Sequence, residues 1–289
     1  STEITTDFLL RYNRKISDKF QGRISVGGSR MENRSTSNSM FAGKLLFPDI
    51  YTFANSKETP IATNNRSAFA VNSLYTLAEL SYDNVIFLDM TGRYDWTSTL
   101  VTPGILGNAA NFDNAGFPYP SFNLSAIVSD MFQMPRSVSL VKVRAAYAEV
   151  GNDTSPYSLT NVFNNQVAWG SDQAKTESSV LSNADLRPER TASTEFGLDL
   201  RFFENRLGFD ITYYNNVTRD QIIPITLDIA TGYNSRIINA GKIQNSGIEI
   251  VMLANPIKKQ SGFRWDIVDN FSRNRGKVLE LTEGLDTYT

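Results

Sequence analysis

The stretch Leu186–Asn216 constrains this chain more than any other. From Thr194 onward, Phe196, Leu198, Leu200 and Phe202 alternate with Glu195, Gly197, Asp199 and Arg201. Period two of this strictness predicts a β-strand with one apolar and one wet face. The chain reverses at Glu204-Asn205, after which Leu207, Phe209, Ile211 and Tyr213 alternate with Gly208, Asp210 and Thr212. Tyr213 and Tyr214 are expected to close this second strand as an aromatic pair. Each strand has the ~10 residues that a tilted strand needs to cross a bilayer, about twice the usual length in a soluble domain.

The same alternation along the chain predicts ten strands. The first runs through Phe8, Leu10 and Tyr12. Others cover Lys19–Met31, Ser67–Ser81, Val85–Trp96, Ser121–Val128 and Val138–Val150, then the hairpin above, then Gly247–Asn255 and Gly262–Ser272. The segment joining the fifth and sixth strands has room for one helical turn. Connections alternate short and long, the long ones being Glu32–Arg66, Thr97–Pro120, Gly151–Arg190 and Arg219–Asn245. Short turns at one end of a sheet and excursions of roughly 25 to 40 residues at the other are the layout of an outer-membrane barrel. In hydrocarbon an unpaired backbone group costs several kcal/mol, so such a sheet must close on itself. Ten strands alone would enclose a lumen with little room for such loops. The expected fold class is therefore all-β: a transmembrane antiparallel β-barrel, with residues 1–289 supplying about ten consecutive strands of a larger one. STEITTDFLL has neither the basic nor the apolar region of a signal peptide, and LTEGLDTYT is polar with no closing strand. Both ends read as an internal stretch, with a plug domain and terminal strands lying outside it.

Composition removes several kinds of chemistry. The chain has no histidine and no cysteine, so disulfides, Cys/His metal sites and imidazole or thiolate catalysis are excluded. A net charge of -2 without a basic stripe argues against a nucleic-acid partner. No apolar run approaches the ~18 residues of a membrane-spanning helix. Asp89, Asp95, Asp199 and Asp210 fall on wet strand faces, where Arg93 and Arg201 can pair with them. Nothing brings two carboxylates into one cleft, so neither enzyme activity nor a cofactor is expected. Asn152-Asp153-Thr154 and Asp113-Asn114 lack the ligand spacing of a calcium loop. Tyr94, Trp96, Tyr213, Tyr214 and Trp265 suit an interfacial aromatic girdle. The aromatics within long loops are different: Phe117, Tyr119, Tyr157, Phe163 and Trp169, with Asn165, lie among amides and hydroxyls. Ring faces plus amides suit capture of a sugar or peptide, which makes these six the candidate substrate contacts. Packing of the loops on themselves is the competing reading.

Leu186-Arg187-Pro188-Glu189-Arg190-Thr191, followed by Glu195-Phe196-Gly197, resembles the SusC/RagA-type TonB-dependent outer-membrane transporters. So do Gly92–Leu100, Tyr147–Asn152 and Asn239–Glu249, in the same order. The resemblance implies a barrel of about 22 strands closed by an N-terminal plug, in the outer membrane of Bacteroidetes. It also implies uptake of an oligosaccharide or peptide, a SusD-like lipoprotein lid, and energy delivered by TonB through a region outside this chain. A surface adhesin and a passive porin are the alternatives that the residues themselves leave open. Within LRPERT, Pro188 is read as setting an extended entry into the next strand.

Overall fold

A computed structural model describes residues 1–104, 109–165, 172, 174–259 and 262–281. Its strands are β1 (Thr2–Lys15), β2 (Phe20–Phe41), β3 (Ile61–Tyr82), β4 (Ile86–Thr97), β5 (Gly116–Ile127), β6 (Val138–Asn152), β7 (Phe163–Asn165), β8 (Lys175–Glu177), β9 (Val180–Leu181), β10 (Glu189–Phe202), β11 (Leu207–Thr226), β12 (Ser235–Lys258) and β13 (Arg264–Glu280). All ten expected strands lie in one antiparallel sheet in chain order, β1 to β6 and then β10 to β13. Short β9 adds parallel to β12, while β7 and β8 form a separate small hairpin. The one helical turn between β5 and β6 is α1 (Val128–Met131). Tight turns form where short polar residues accept left-handed backbone: Asp83 and Asn84 at φ 52° and 58° join β3 to β4.

The register sorts the side chains as the alternation predicts. Leu198 is opposite Val143 on one side and Ile211 on the other. Phe196, Leu200, Phe209, Met252 and Ile250 share that face. The opposite face carries ion pairs: Arg144 to Asp210 at 2.7 Å, Arg201 to Asp199 at 2.8 Å, and Arg93 to Asp95 at 2.6 Å. On the apolar face, Phe20 and Tyr82 pack at a tilt at the short-turn end, and Tyr94 and Trp96 at the other, with ring centroids 4.8 Å and 4.6 Å apart. Ile86 to Trp96 is about 33 Å of strand, or about 25 Å along the barrel axis at a tilt of ~40°, the height of a membrane-spanning apolar band.

Two expectations need correction. Tyr213 and Tyr214 do not close β11; they point to opposite faces, Tyr213 opposite Phe196 and Tyr214 opposite Glu195, and the strand runs on to Thr226. The fourth long loop shrinks accordingly, because β11 and β12 stay paired up to Thr226 and Ser235, leaving only Leu227–Asn234 between them. β2 and β3 likewise continue to Phe41 and Ile61 through Ser- and Asn-rich sequence. Beyond the apolar band both faces are wet, so period two vanishes while the backbone ladder, indifferent to side-chain polarity, continues.

Candidate functional site

The long connections do not leave the sheet as free loops. Leu100, Phe117, Leu159 and Leu186 form a buried apolar cluster at their base, with Tyr119, Ile222 and Ile237 against it. Leu186 is completely buried. At the end of β4 and just past it, Thr97 and Thr99 direct their hydroxyls at Asp153 Oδ2, at 2.5 and 2.7 Å. Asp153, weighed above as a cation ligand, thus fastens the start of the longest loop to the end of β4. The other end of that loop is held as firmly. The Asn239 side chain accepts from the Arg187 backbone N–H at 2.8 Å and donates to the Arg187 and Asp220 carbonyls at 2.7 and 2.9 Å. Glu189 accepts from the Ile222 backbone N–H at 2.8 Å and from Asn152 Nδ2 at 3.1 Å. Sequence reading had given LRPERT only an entry role. The structure shows that all four motif stretches meet here, through contacts between residues tens of positions apart.

Further out, β9 tethers the same loop to the start of β12. Asn161 accepts from the Ser182 backbone N–H at 2.7 Å, and Tyr233 donates to Glu177. That hydrogen bond to the carboxylate, more than its slight desolvation, raises the Tyr233 phenol above its usual value. Tyr233 is a contact that sequence reading missed; its only signal was an aromatic beside the Thr231-Gly232 turn.

The candidate substrate contacts separate into two groups. Phe117 is 4% exposed and meets the half-buried Tyr119 edge to face at 4.9 Å. Both project from β5, whose pairing with β6 begins only at Ser121 opposite Ala148. Tyr119 fills the space where the two strands part, so close to Gly151 that a Cβ there would lie 2.7 Å from its ring. These two rings belong to the loop base. Phe163, 67% exposed, and Asn165 stand on the β7–β8 hairpin. Tyr157 is exposed too, with its hydroxyl 3.2 Å from the Ala68 backbone N–H. Trp169 lies outside the described residues.

Long antiparallel strands with one apolar and one ion-paired face, long connections gathered at one end, and a packed floor beneath those connections define an outer-membrane β-barrel. The chain belongs to the family described as TonB dependent receptor-like, beta-barrel, whose model matches residues 4–289. It is 29% identical to TonB-dependent receptor P39 of Formosa agariphila over 239 residues, 81% of this chain and 22% of that protein. It is 27% identical to TonB-dependent receptor SusC of Bacteroides thetaiotaomicron over 218 residues, 72% of this chain and 21% of that protein. The chain thus spans about a fifth of these curated relatives. In fold it is similar to the RagAB peptide transporter, with a TM-score of 0.82 at 18% identity, covering 99% of this chain and 31% of that one. In such barrels the apolar face meets lipid, the short turns are periplasmic and the long loops extracellular.

Proposed function

We propose that this chain forms part of the wall and outer vestibule of an active importer for a large nutrient, an oligosaccharide or a peptide. TonB supplies the energy and a SusD-like surface lipoprotein acts as the lid. The similarity to SusC and to the RagAB peptide transporter supports this reading. The observation that carries it is the contrast within the longest loop. Its base is locked by Asp153, Leu186 and Asn239, while the β7–β8 hairpin presents Phe163 and Asn165 to solvent. A firm floor under an exposed ring and amide preorganises a surface for a sugar or peptide at little ordering cost. Phe163, Asn165 and Tyr157 are the proposed contacts, joined on sequence grounds by Trp169. Phe117 and Tyr119 support them from beneath.

The test uses cells carrying the full-length protein with Phe163→Ala and Asn165→Ala together. Half-saturation for uptake of its nutrient should rise about tenfold or more, the loss expected from one ring contact and one hydrogen-bonding amide. Heat-modifiable migration of the barrel should be unchanged. Unaltered uptake across oligosaccharide and peptide panels would remove this hairpin from the capture surface. Lost adhesion with normal uptake would instead make it an adhesive surface.

A further inference from the structure

The sheet register brings three cations side by side at the outer ends of β10, β11 and β12. Arg190 stands directly opposite Arg219, and Arg219 directly opposite Lys242. By alternation, Arg190, Arg219 and Lys242 fall on the face of Phe196, Tyr213 and Ile248, the outer surface of the barrel. Lys242 has a counter-charge, Glu280 Oε1 at 2.9 Å from its Nζ. The guanidiniums of Arg190, Arg219 and nearby Arg187 have no ion pair and no hydrogen bond among the described residues, though all three line one cleft of about 370 Å³. Asp113 and Asp220 line the same cleft without coming within ion-pair distance of those arginines. Like charges directly opposite each other on adjacent strands repel, so this row calls for an anion from outside the chain.

The frame that carries the arginines is fixed. Asn239 holds the Arg187 backbone through both its N–H and its carbonyl, and Pro188 is buried. Guanidinium forks match oxyanions bidentately. A terminal phosphate (a monoester or the free ion), with up to two charges and at least three terminal oxygens, offers a contact to each of three forks, whereas a carboxylate or a phosphodiester has only two free oxygens. Arg219 lies past Tyr213 by about 20 Å of strand, or about 15 Å along the barrel axis, and so stands clear of the hydrocarbon.

We propose that Arg187, Arg190 and Arg219 form an oxyanion site that takes a terminal phosphate, borne either as the monoester of a lipid headgroup of the outer leaflet or as free phosphate. The experiment measures thermal unfolding of the full-length protein in neutral detergent, with inorganic phosphate or with sodium chloride at matched ionic strength. Phosphate should raise the wild-type midpoint saturably and chloride should not. Arg219→Gln relieves the repulsion, so in chloride it should be at least as stable as wild type, yet its phosphate affinity should fall about tenfold or more. Arg275→Gln, on β13, should respond as wild type does. Short-chain phosphatidate competing at lower concentration than inorganic phosphate assigns the site to a headgroup; competition no better than phosphate assigns it to the free ion. Equal stabilisation of wild type by phosphate and chloride, or an undiminished phosphate response in Arg219→Gln, would overturn the proposal.

Discussion

Leu198 and Asp199 are adjacent in sequence and sit in different solvents. Leu198 lies between Val143 and Ile211 on the lipid face. Asp199 is placed between Lys142 and Asp210, and Arg201 and Arg144 neutralise its pairing with a second carboxylate. A charge at the midplane of the lipid face has no comparable partner, so Leu198→Arg should cost about 2–4 kcal/mol in a reversible urea titration of the membrane-inserted protein. Glu195→Gln, on the lumenal face and without an ion pair among the described residues, should shift stability by no more than about 0.5 kcal/mol. If Glu195→Gln abolished insertion while Leu198→Arg were tolerated, the two faces would be assigned backwards.

At the scale of elements, β10, β11 and β12 do more than span the membrane. Their outer ends hold the loop floor through Asn239, whose amide satisfies three backbone groups. Asn239→Ala leaves those groups unpaired and should weaken the local structure by about 1–3 kcal/mol. Amide exchange around residues 183–190 and protease nicking within residues 153–188 should accelerate while the barrel band on a gel stays in place; unchanged protection would contradict the assigned role. The strands were legible within the membrane band because lipid on one side and water on the other impose period two. Their outer ends, such as Thr36 opposite Arg66, are wet on both faces and carry no such pattern. Phe117 and Tyr119 looked like loop aromatics for a related reason. Pro118 and Pro120 withhold ladder donors, so Ser121 looked like the start of the strand, yet β5 begins at Gly116. The meeting of the four motifs was hidden because sheet register, and not sequence distance, brings Arg187 to Asn239.

For the whole molecule the decisive property is sidedness. The up-and-down order of the ten main strands puts the β1–β2, β3–β4, β5–β6, β10–β11 and β12–β13 connections at one membrane surface, and the other four, with the packed floor beneath them, at the opposite one. The proposed capture of a nutrient by Phe163 and Asn165 has meaning only if that second surface is the cell exterior. These 289 residues contain no cysteine, so within this stretch an introduced thiol is the single reactive sulfur, and the unsubstituted protein supplies the labelling background. Phe163→Cys, Glu204→Cys and Phe196→Cys place single thiols on the β7–β8 hairpin, in the β10–β11 turn and on the lipid face. In intact cells a membrane-impermeant maleimide should label Phe163→Cys only. Glu204→Cys should react once the outer membrane is permeabilised, and Phe196→Cys only with a lipid-soluble reagent. Labelling of Glu204→Cys in intact cells as fast as Phe163→Cys would contradict this orientation, and with it the assignment of the loops to capture.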